Sequence, residues 1–397
     1  MKMLFLSNRI PYPPDKGDRI PVFYRMKHLS QRHEISMVFP CYYRSEFKYL
    51  NKVREFCKDT IGVYINPQLG KVRCLLASFL NKSMTLEYSY SKNLKEGINN
   101  LIRENNFDLI YVYSSGMAQY VADINGIPKV IDLADSDSHK WLQYSKAMRF
   151  PMSRIYYKEG LRLKNYEKLL CDKFDQAIAI SENEKKLFLS YIPDKEFNIV
   201  SNGVDLEYFS PNGENYDSNR LVFVGVMDYY ANIDCVTYFV KKIFPLIKKN
   251  IPKVKFYIVG SNPTNQVKKL ARDKNVIVTD RVSDVRPYIN QASVSVVPLR
   301  IGQGIQNKIL EAMASAVPVV TTTRGNRGIR ALSGENIFVE DSPDKFAERV
   351  IELINNRQLR KKIGLEARKF VEDNFKWQKN LEIFEDVLKN AYAKNQN

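Results

Sequence analysis

Along this chain, apolar residues gather into short runs of four to six, separated by longer stretches in which they recur every three or four positions. The short runs lie at 3–7, 34–40, 108–113 (DLIYVY), 129–133 (KVIDL), 175–180 and 197–200, and then at 221–225, 255–260 (KFYIVG), 275–279 (NVIVT), 293–297 and 317–321. They are rich in Val, Ile, Phe and Tyr, which fits strands buried on both faces. Between them, Val22, Met26 and Leu29 mark an inward face on a helix ending near residue 30. A short helix is expected near 117–123, and Ser181-x-x-Glu184 reads as a capping box for a helix to Leu189. Amphipathic helices are expected at 343–355 and 358–375, and another at 377–391. Strands alternating with helices through both halves predict an α/β protein of two doubly wound parallel sheets.

The most informative stretch is 293–323, SVSVVPLRIGQGIQNKILEAMASAVPVVTTT. A β-branched strand leads through a turn with Gly302 and Gly304 into a helix at 306–314, whose apolar side is Ile309, Leu310 and Met313. A second strand follows at 317–321. This is a parallel βαβ unit, and its glycine loop falls at the carboxyl end of the strand, where open α/β sheets bind ligands. Gly304 lets backbone approach a ligand without a Cβ in the way. The helix start behind it suits a phosphate. Arg300 and Lys308 add charge, and Lys308 shares a helix face with Glu311. Lys308 could reach a diphosphate, and Glu311 could accept hydrogen bonds from two adjacent hydroxyls, as on a ribose. An ordinary βαβ unit with a solvated Lys–Glu pair has the same pattern.

The stretch resembles the donor-site segment of retaining glycosyltransferases of family four, which have the GT-B fold of two Rossmann-like domains facing a cleft. Their signature is a Glu, seven residues, a second Glu, Ala-Met-Ala, a small residue and Pro-Val-Val. Glu311-Ala312-Met313-Ala314 and Val317-Pro318-Val319-Val320 match its second half, while the first Glu is replaced by Gln303. Gly304, Lys308 and Glu311 fit best the subgroup of bacterial exopolysaccharide and capsule pathways. The resemblance implies that Glu311 contacts the nucleotide ribose and Gln303 the donor sugar. It implies donor contacts at Gly17, Gly225, Gly304, Asn307 and Lys308, and a leaving diphosphate whose charge is met by Arg300, Lys308, the helix dipole and, from the other domain, Arg19. Family members often place Arg and Lys after the glycine equivalent to Gly225; here Val226 and Met227 follow it. The first strand's loop, 8–17, ends in Lys16-Gly17-Asp18-Arg19, similar to the opening of GT-B transferases. Asn202-Gly203-Val204-Asp205 resembles the family's domain junction.

After the strand at 129–133 comes Asp135-Ser136-Asp137. A metal-binding reading of this Asp-x-Asp is set aside: two carboxylates alone make a poor site, and the surrounding chain does not resemble metal-dependent GT-A transferases. GT-B relatives often carry His-Asp at this strand end, and Ala134-Asp135 stands in its place. Asp135 is therefore the expected acceptor-side and catalytic carboxylate, with Arg19 and Asp137 as further acceptor contacts. A helix cap suits Asp137 or Ser138.

At 397 residues, with 44% hydrophobic and 26% charged residues, the chain has room for two globular domains. The expected division is an acceptor domain 1–205, a linker 206–220, a nucleotide-sugar domain 221–376, and a helix 377–397 crossing back to the first domain. No window approaches the roughly 18 apolar residues of a spanning helix. The start, MKMLFLSNRIPYPP, does not read as a signal peptide, so a cytoplasmic protein is expected. Five scattered cysteines predict reduced thiols. The net charge is +17, and residues 1–100 hold 17 Lys and Arg against 8 Asp and Glu. With no nucleic-acid-binding motif, an anionic bilayer or anionic substrate is the expected partner, and no nucleic acid. The stretch 71–82, KVRCLLASFLNK, sets four large apolar residues between Lys71, Arg73 and Lys82. It reads either as a helix packed into the core or as an interfacial helix on the anionic inner face of the membrane.

The reading is a retaining hexosyltransferase needing no metal or other cofactor, whose donor is a UDP- or GDP-sugar and whose acceptor is a glycan or lipid-linked glycan. The rivals are a nucleotide-sugar epimerase of the same architecture, which would turn over donor without acceptor, and a non-catalytic basic protein that binds polyanions.

Overall fold

The computed structural model describes residues 1–15, 17–212, 217–302 and 304–394. The chain divides into two compact units. One is Met1–Ser201 together with the stretch from Gln378, and the other is Asn202–Trp377.

The first unit holds β1 (Lys2–Leu6), β2 (Glu34–Cys41), β3 (Asp59–Tyr64), β4 (Leu109–Tyr113), β5 (Lys129–Ala134), β6 (Gln176–Ala179) and β7 (Phe197–Ile199). They form one parallel sheet in the order β3-β2-β1-β4-β5-β6-β7. The order reverses beside β1, which puts the loops after β1 and β4 at a topological switch point. Pleating sends Leu4 and Leu6 to one face, with Ile110, Val112, Leu94 and Ile98. Met3 and Phe5 go to the other face, with Val22, Met26 and Met37. The apolar runs read from the sequence are these strands. β3 was not legible: it is half-buried throughout and carries Asp59, Thr60 and Gly62, so no continuous apolar run marks it.

The helices used below are α1 (Arg19–Leu29), α2 (Pro67–Phe79), α3 (Met84–Ser89), α4 (Asp137–Ala147) and α5 (Met152–Lys173). The helix expected at 117–123 is a single turn, Ser115–Ala118. α4 is capped by Ser136, whose hydroxyl accepts from the His139 N–H, and not by Asp137 or Ser138. Ser181 caps its helix as expected, while the Glu184 carboxylate accepts from the Ser136 N–H. α2 overturns the core-packing reading. Its two buried residues are Gly70 and Ala77, seven apart and so on one face. Gly70 seats the helix against Tyr88 of α3, where a Cβ would lie 2.9 Å from the ring. The large residues Leu69, Val72, Leu75, Leu76, Phe79 and Leu80 all point outward and are exposed.

The second unit is a six-stranded parallel sheet: β8 (Asp217–Val224), β9 (Lys255–Val259), β10 (Val276–Val278), β11 (Ala292–Val297), β12 (Val319–Thr321) and β13 (Phe338–Val339). Its order is β10-β9-β8-β11-β12-β13, so the reversal falls between β8 and β11. Between β11 and β12 lies α6 (Asn307–Ala314). α7 (Pro343–Asn355) and α8 (Arg357–Asn374) follow β13. α9 (Trp377–Lys394) supplies Phe384, Val387 and Leu388 to the same core face of the first unit as Met3 and Phe5. Its Glu385 is buried but meets His28 at 2.9 Å, Arg32 at 3.1 Å and Lys389 at 2.9 Å. Burial alone would raise this carboxyl; Lys389, His28 and Arg32 hold it down at about 2. Among the described residues, no helix is long and apolar enough to cross a membrane. All five cysteines are free, four buried and Cys74 half-buried.

Candidate functional site

In the second unit, β11 delivers the chain to a glycine loop at the reversal point of the sheet. Gly302 (φ 121°) and Gly304 (φ 71°) take backbone conformations that other residues rarely adopt. The loop rests on a second glycine that sequence reading missed. At Gly328 a Cβ would lie 2.4 Å from the Gly304 carbonyl oxygen, so only glycine lets these backbones touch. A similar contact joins the ends of β8 and β9, where a Cβ on Gly260 would fall 1.7 Å from the Gly225 carbonyl oxygen. The clue to Gly328 was the unusual run Thr323-Arg-Gly-Asn-Arg-Gly328 directly after β12.

α6 begins just beyond. Gln306 holds the cap position without a side-chain cap bond. Asn307 accepts from the Asn202 amide at 3.4 Å, which ties the helix start to the Asn-Gly-Val-Asp turn. Lys308 Nζ donates to Gln306 Oε1 at 3.2 Å and stands 5.5 Å from the centroid of the Phe223 ring, two residues before Gly225. Both Lys308 and Glu311 keep some surface open, but protein crowds their charged ends. Burial lowers the Lys308 ammonium from its ordinary range. It pushes the Glu311 carboxyl up to about 7, with Lys308 pulling the other way. The structure thus brings Gly225, Gly304, Asn307, Lys308 and Glu311 to one end of this sheet. Gln303 lies outside the described residues.

Arg300 is turned elsewhere. Its guanidinium forks onto Asp234 at 3.1 and 2.5 Å and covers the Tyr238 ring at 4.3 Å. To meet a diphosphate it must leave Asp234, a partner 66 residues away that the sequence did not suggest.

In the first unit, Asp135 follows the last residue of β5. Ala134 has φ 51°, and the turn is held by Asp132 Oδ1, which accepts from the Ala134 N–H at 2.9 Å. Asp132 is itself fixed by a buried ion pair with Arg25 and by the Tyr111 hydroxyl, which donates to it at 2.9 Å. Arg25 also donates to the Tyr111 oxygen at 2.8 Å. Sequence reading missed this network, whose members come from α1, β4 and β5. Asp135 keeps an open surface although the protein crowds round it. That crowding raises its carboxyl to about 6, with Asp137 and Asp132 adding to the rise and Lys140 opposing it. Asp137 accepts from the Ser115 hydroxyl at 2.7 Å. Gly17 is exposed, with open space where a Cβ would stand. Arg19 is buried, paired with Glu46 and with Asp15 at 3.2 Å. Glu46 in turn accepts from the N–H groups of Tyr42 and Tyr43 at 2.9 and 3.0 Å, so Arg19 organises the loop after β2.

A glycine loop, a lysine and a glutamate thus meet at the reversal point of the parallel sheet in the second unit, where open α/β sheets bind ligands. Residues 218–356 match the family described as Glycosyl transferases group 1. This part of the chain is similar to group 1 glycosyl transferase domains, in line with what the 293–323 motif implied. The full length is similar to an uncharacterized 44.6 kDa protein in the cps region of Klebsiella pneumoniae, 23% identical over 416 residues and covering 98% of this chain and 99% of that one. The capsular polysaccharide biosynthesis glycosyltransferase CapM of Staphylococcus aureus is 28% identical over 275 residues, 61% of this chain and 72% of CapM. Among solved structures, sucrose-phosphate synthase of Thermosynechococcus elongatus superposes with a TM-score of 0.74 at 14% identity, covering 99% of this chain and all of that one (100%). HepE of Anabaena, solved with UDP and glucose, superposes with a TM-score of 0.68 at 15% identity over 98% of this chain and 99% of its own. These likenesses show the fold.

Proposed function

We propose that this chain moves a hexose from a UDP- or GDP-sugar to a glycan or lipid-linked glycan, with retention and without a metal or other cofactor, in the building of a cell-surface polysaccharide. The observation that carries this reading is the Lys308–Glu311 pair behind Gly304, set at the sheet reversal of a domain similar to group 1 glycosyl transferases. Gly304 and the start of α6 receive the diphosphate, and Lys308 meets its charge. Glu311 accepts from the two ribose hydroxyls. Arg300 exchanges Asp234 for the diphosphate when donor binds. The departing diphosphate takes the proton of the attacking hydroxyl, and Asp135, with Arg19 and Asp137 behind it, orients the acceptor. The protein's contribution is then alignment and stabilisation of leaving-group charge. CapM and the cps-region protein support the capsule setting, and the UDP bound to HepE supports a uridine donor. A cytoplasmic site of action, with the 71–82 segment on the anionic inner face of the membrane, completes the reading.

The test is nucleotide binding by calorimetry. Glu311→Ala should weaken UDP or GDP binding by about 1.5–3 kcal/mol, the cost of losing hydrogen bonds to a charged group. Unchanged affinity in the folded variant would move the donor site elsewhere.

A further inference from the structure

Two separate parts of the first unit expose large apolar side chains, and buried contacts lock them together. The first is α2, where Phe79 is 80% exposed and Leu69, Val72, Leu75, Leu76 and Leu80 also face outward. The second is the corner between α4 and α5 and the outer edge of α5: Phe150 is 78% exposed, with Met152, Tyr157 and Leu161 also exposed. The lock is at residues 81–85. Glu159, fully buried on α5, accepts from the Ser83 hydroxyl at 2.8 Å and from the N–H groups of Met84 and Thr85 at 2.9 Å each. Arg162 donates to the Lys82 carbonyl at 3.0 Å and to Asn81 Oδ1 at 2.8 Å. Trp141 of α4 donates to Thr85 Oγ1 at 3.1 Å. The end of α2 is therefore tied to Glu159 and Arg162 on α5.

The charge around this surface is predominantly positive. From Lys140 to Lys168 the chain carries eight cations; its two acids there, Glu159 and Glu167, are both buried. Residues 66–83 carry Lys71, Arg73 and Lys82 and no acid. Arg73 is occupied by the Tyr90 carbonyl at 2.6 Å and Lys82 lies 3.7 Å from Glu87, which leaves Lys71 and the cations of 146–158 facing outward. Large apolar residues set among unopposed cations match the headgroup and upper acyl region of an anionic bilayer.

We infer that α2 and the Phe150–Leu161 edge form one two-part surface that seats the first unit on an anionic membrane. This extends the 71–82 segment to a second, sequence-distant arm. For its purpose it rests on the reading of a lipid-linked acceptor, whose carrier lies in that bilayer. Two arms joined through Glu159 give two points of attachment, which would restrict orientation as well as hold the unit in place.

The experiment is flotation of the whole protein with vesicles of phosphatidylcholine alone or mixed with phosphatidylglycerol. The wild type should float with the anionic vesicles only, and added salt should weaken this. Phe79→Ser and Phe150→Ser should each lower partition by about tenfold, since each removes a large apolar group from the contact. Both positions are exposed, so the melting temperature should not change. Undiminished flotation of Phe150→Ser alongside loss in Phe79→Ser would overturn the second arm. Equal binding to both vesicle types would overturn the anionic match. A lipid-free dimer abolished by Phe79→Ser would assign the surface to a second copy of the chain and overturn the proposal. UDP binding, measured without vesicles, separates the readings: a protein that floats but binds no UDP or GDP defeats the transferase reading alone.

Discussion

Glu311 should make donor binding pH-dependent in a defined direction. Its carboxyl is raised from 4.5 to about 7, so between those values the folded protein holds a proton that the unfolded chain has released. Folding stability from this group therefore falls as pH rises across that window. Binding runs the other way, because only the ionised carboxylate accepts from both ribose hydroxyls. Affinity for UDP-glucose, whose diphosphate is already ionised, should rise by up to about tenfold from pH 6 to pH 8, and Glu311→Gln should flatten that slope. An identical slope in both proteins would remove Glu311 from the ribose. Gln303 carries a second prediction, from its place in the sequence alone. Gln303→Ala should leave free UDP affinity nearly intact and lower transfer about ten- to a hundredfold, about 1.4–2.8 kcal/mol. Gln303→Glu should keep activity or change the preferred sugar. Equal loss of free nucleotide and nucleotide-sugar would make Gln303 a nucleotide contact. Gly304, Lys308 and Glu311 were legible because loop and helix geometry over a few residues sets their placement. The partners of Arg300 and Arg19 were not: Asp234 and Glu46 come from other elements, and no local spacing records them.

At the scale of elements, the end of β5 depends on α1 and β4. Asp132→Ala would strand the buried Arg25 guanidinium and release the turn that presents Asp135. It should cost about 3–5 kcal/mol in denaturant unfolding. Tyr111→Phe removes the hydroxyl that donates to Asp132 and accepts from Arg25 but leaves the ion pair, and should cost only about 1–2 kcal/mol. Equal losses would show that the ion pair is not what anchors this corner. Buried strands such as β4 and β11 announced themselves through continuous apolar runs. β3 did not, since an edge strand can keep polar residues. α2 shows a different limit. Its apolar face looked like a core face, and what decides the matter is that its fully buried residues are Gly70 and Ala77, too small to register as a pattern.

At the scale of the molecule, alternation of strand and helix was enough to predict two parallel sheets, because each apolar run must be covered on both faces. The polar run after residue 211 ends earlier than it reads, for β8 already begins at Asp217. α9 gives the first unit part of its core, with Phe384 and Leu388 wholly buried. Removing residues 378–397 would open cavities of about 2–5 kcal/mol per large side chain, comparable in sum with the 5–15 kcal/mol of a whole domain. Hydrogen exchange should then show β1, β2 and β4 losing protection while β8, β9 and β11 keep theirs. Retained protection in β1 would mean α9 is dispensable. The same helix sets an order of events during synthesis. The ribosome makes residues 1–201 first, yet their hydrophobic centre lacks one wall until the stretch from Gln378 has emerged. Meanwhile all of Asn202–Trp377 has been made and can fold as a unit. The half of the protein that is translated first is thus the half completed last, and until then its uncovered apolar face needs shelter from other chains.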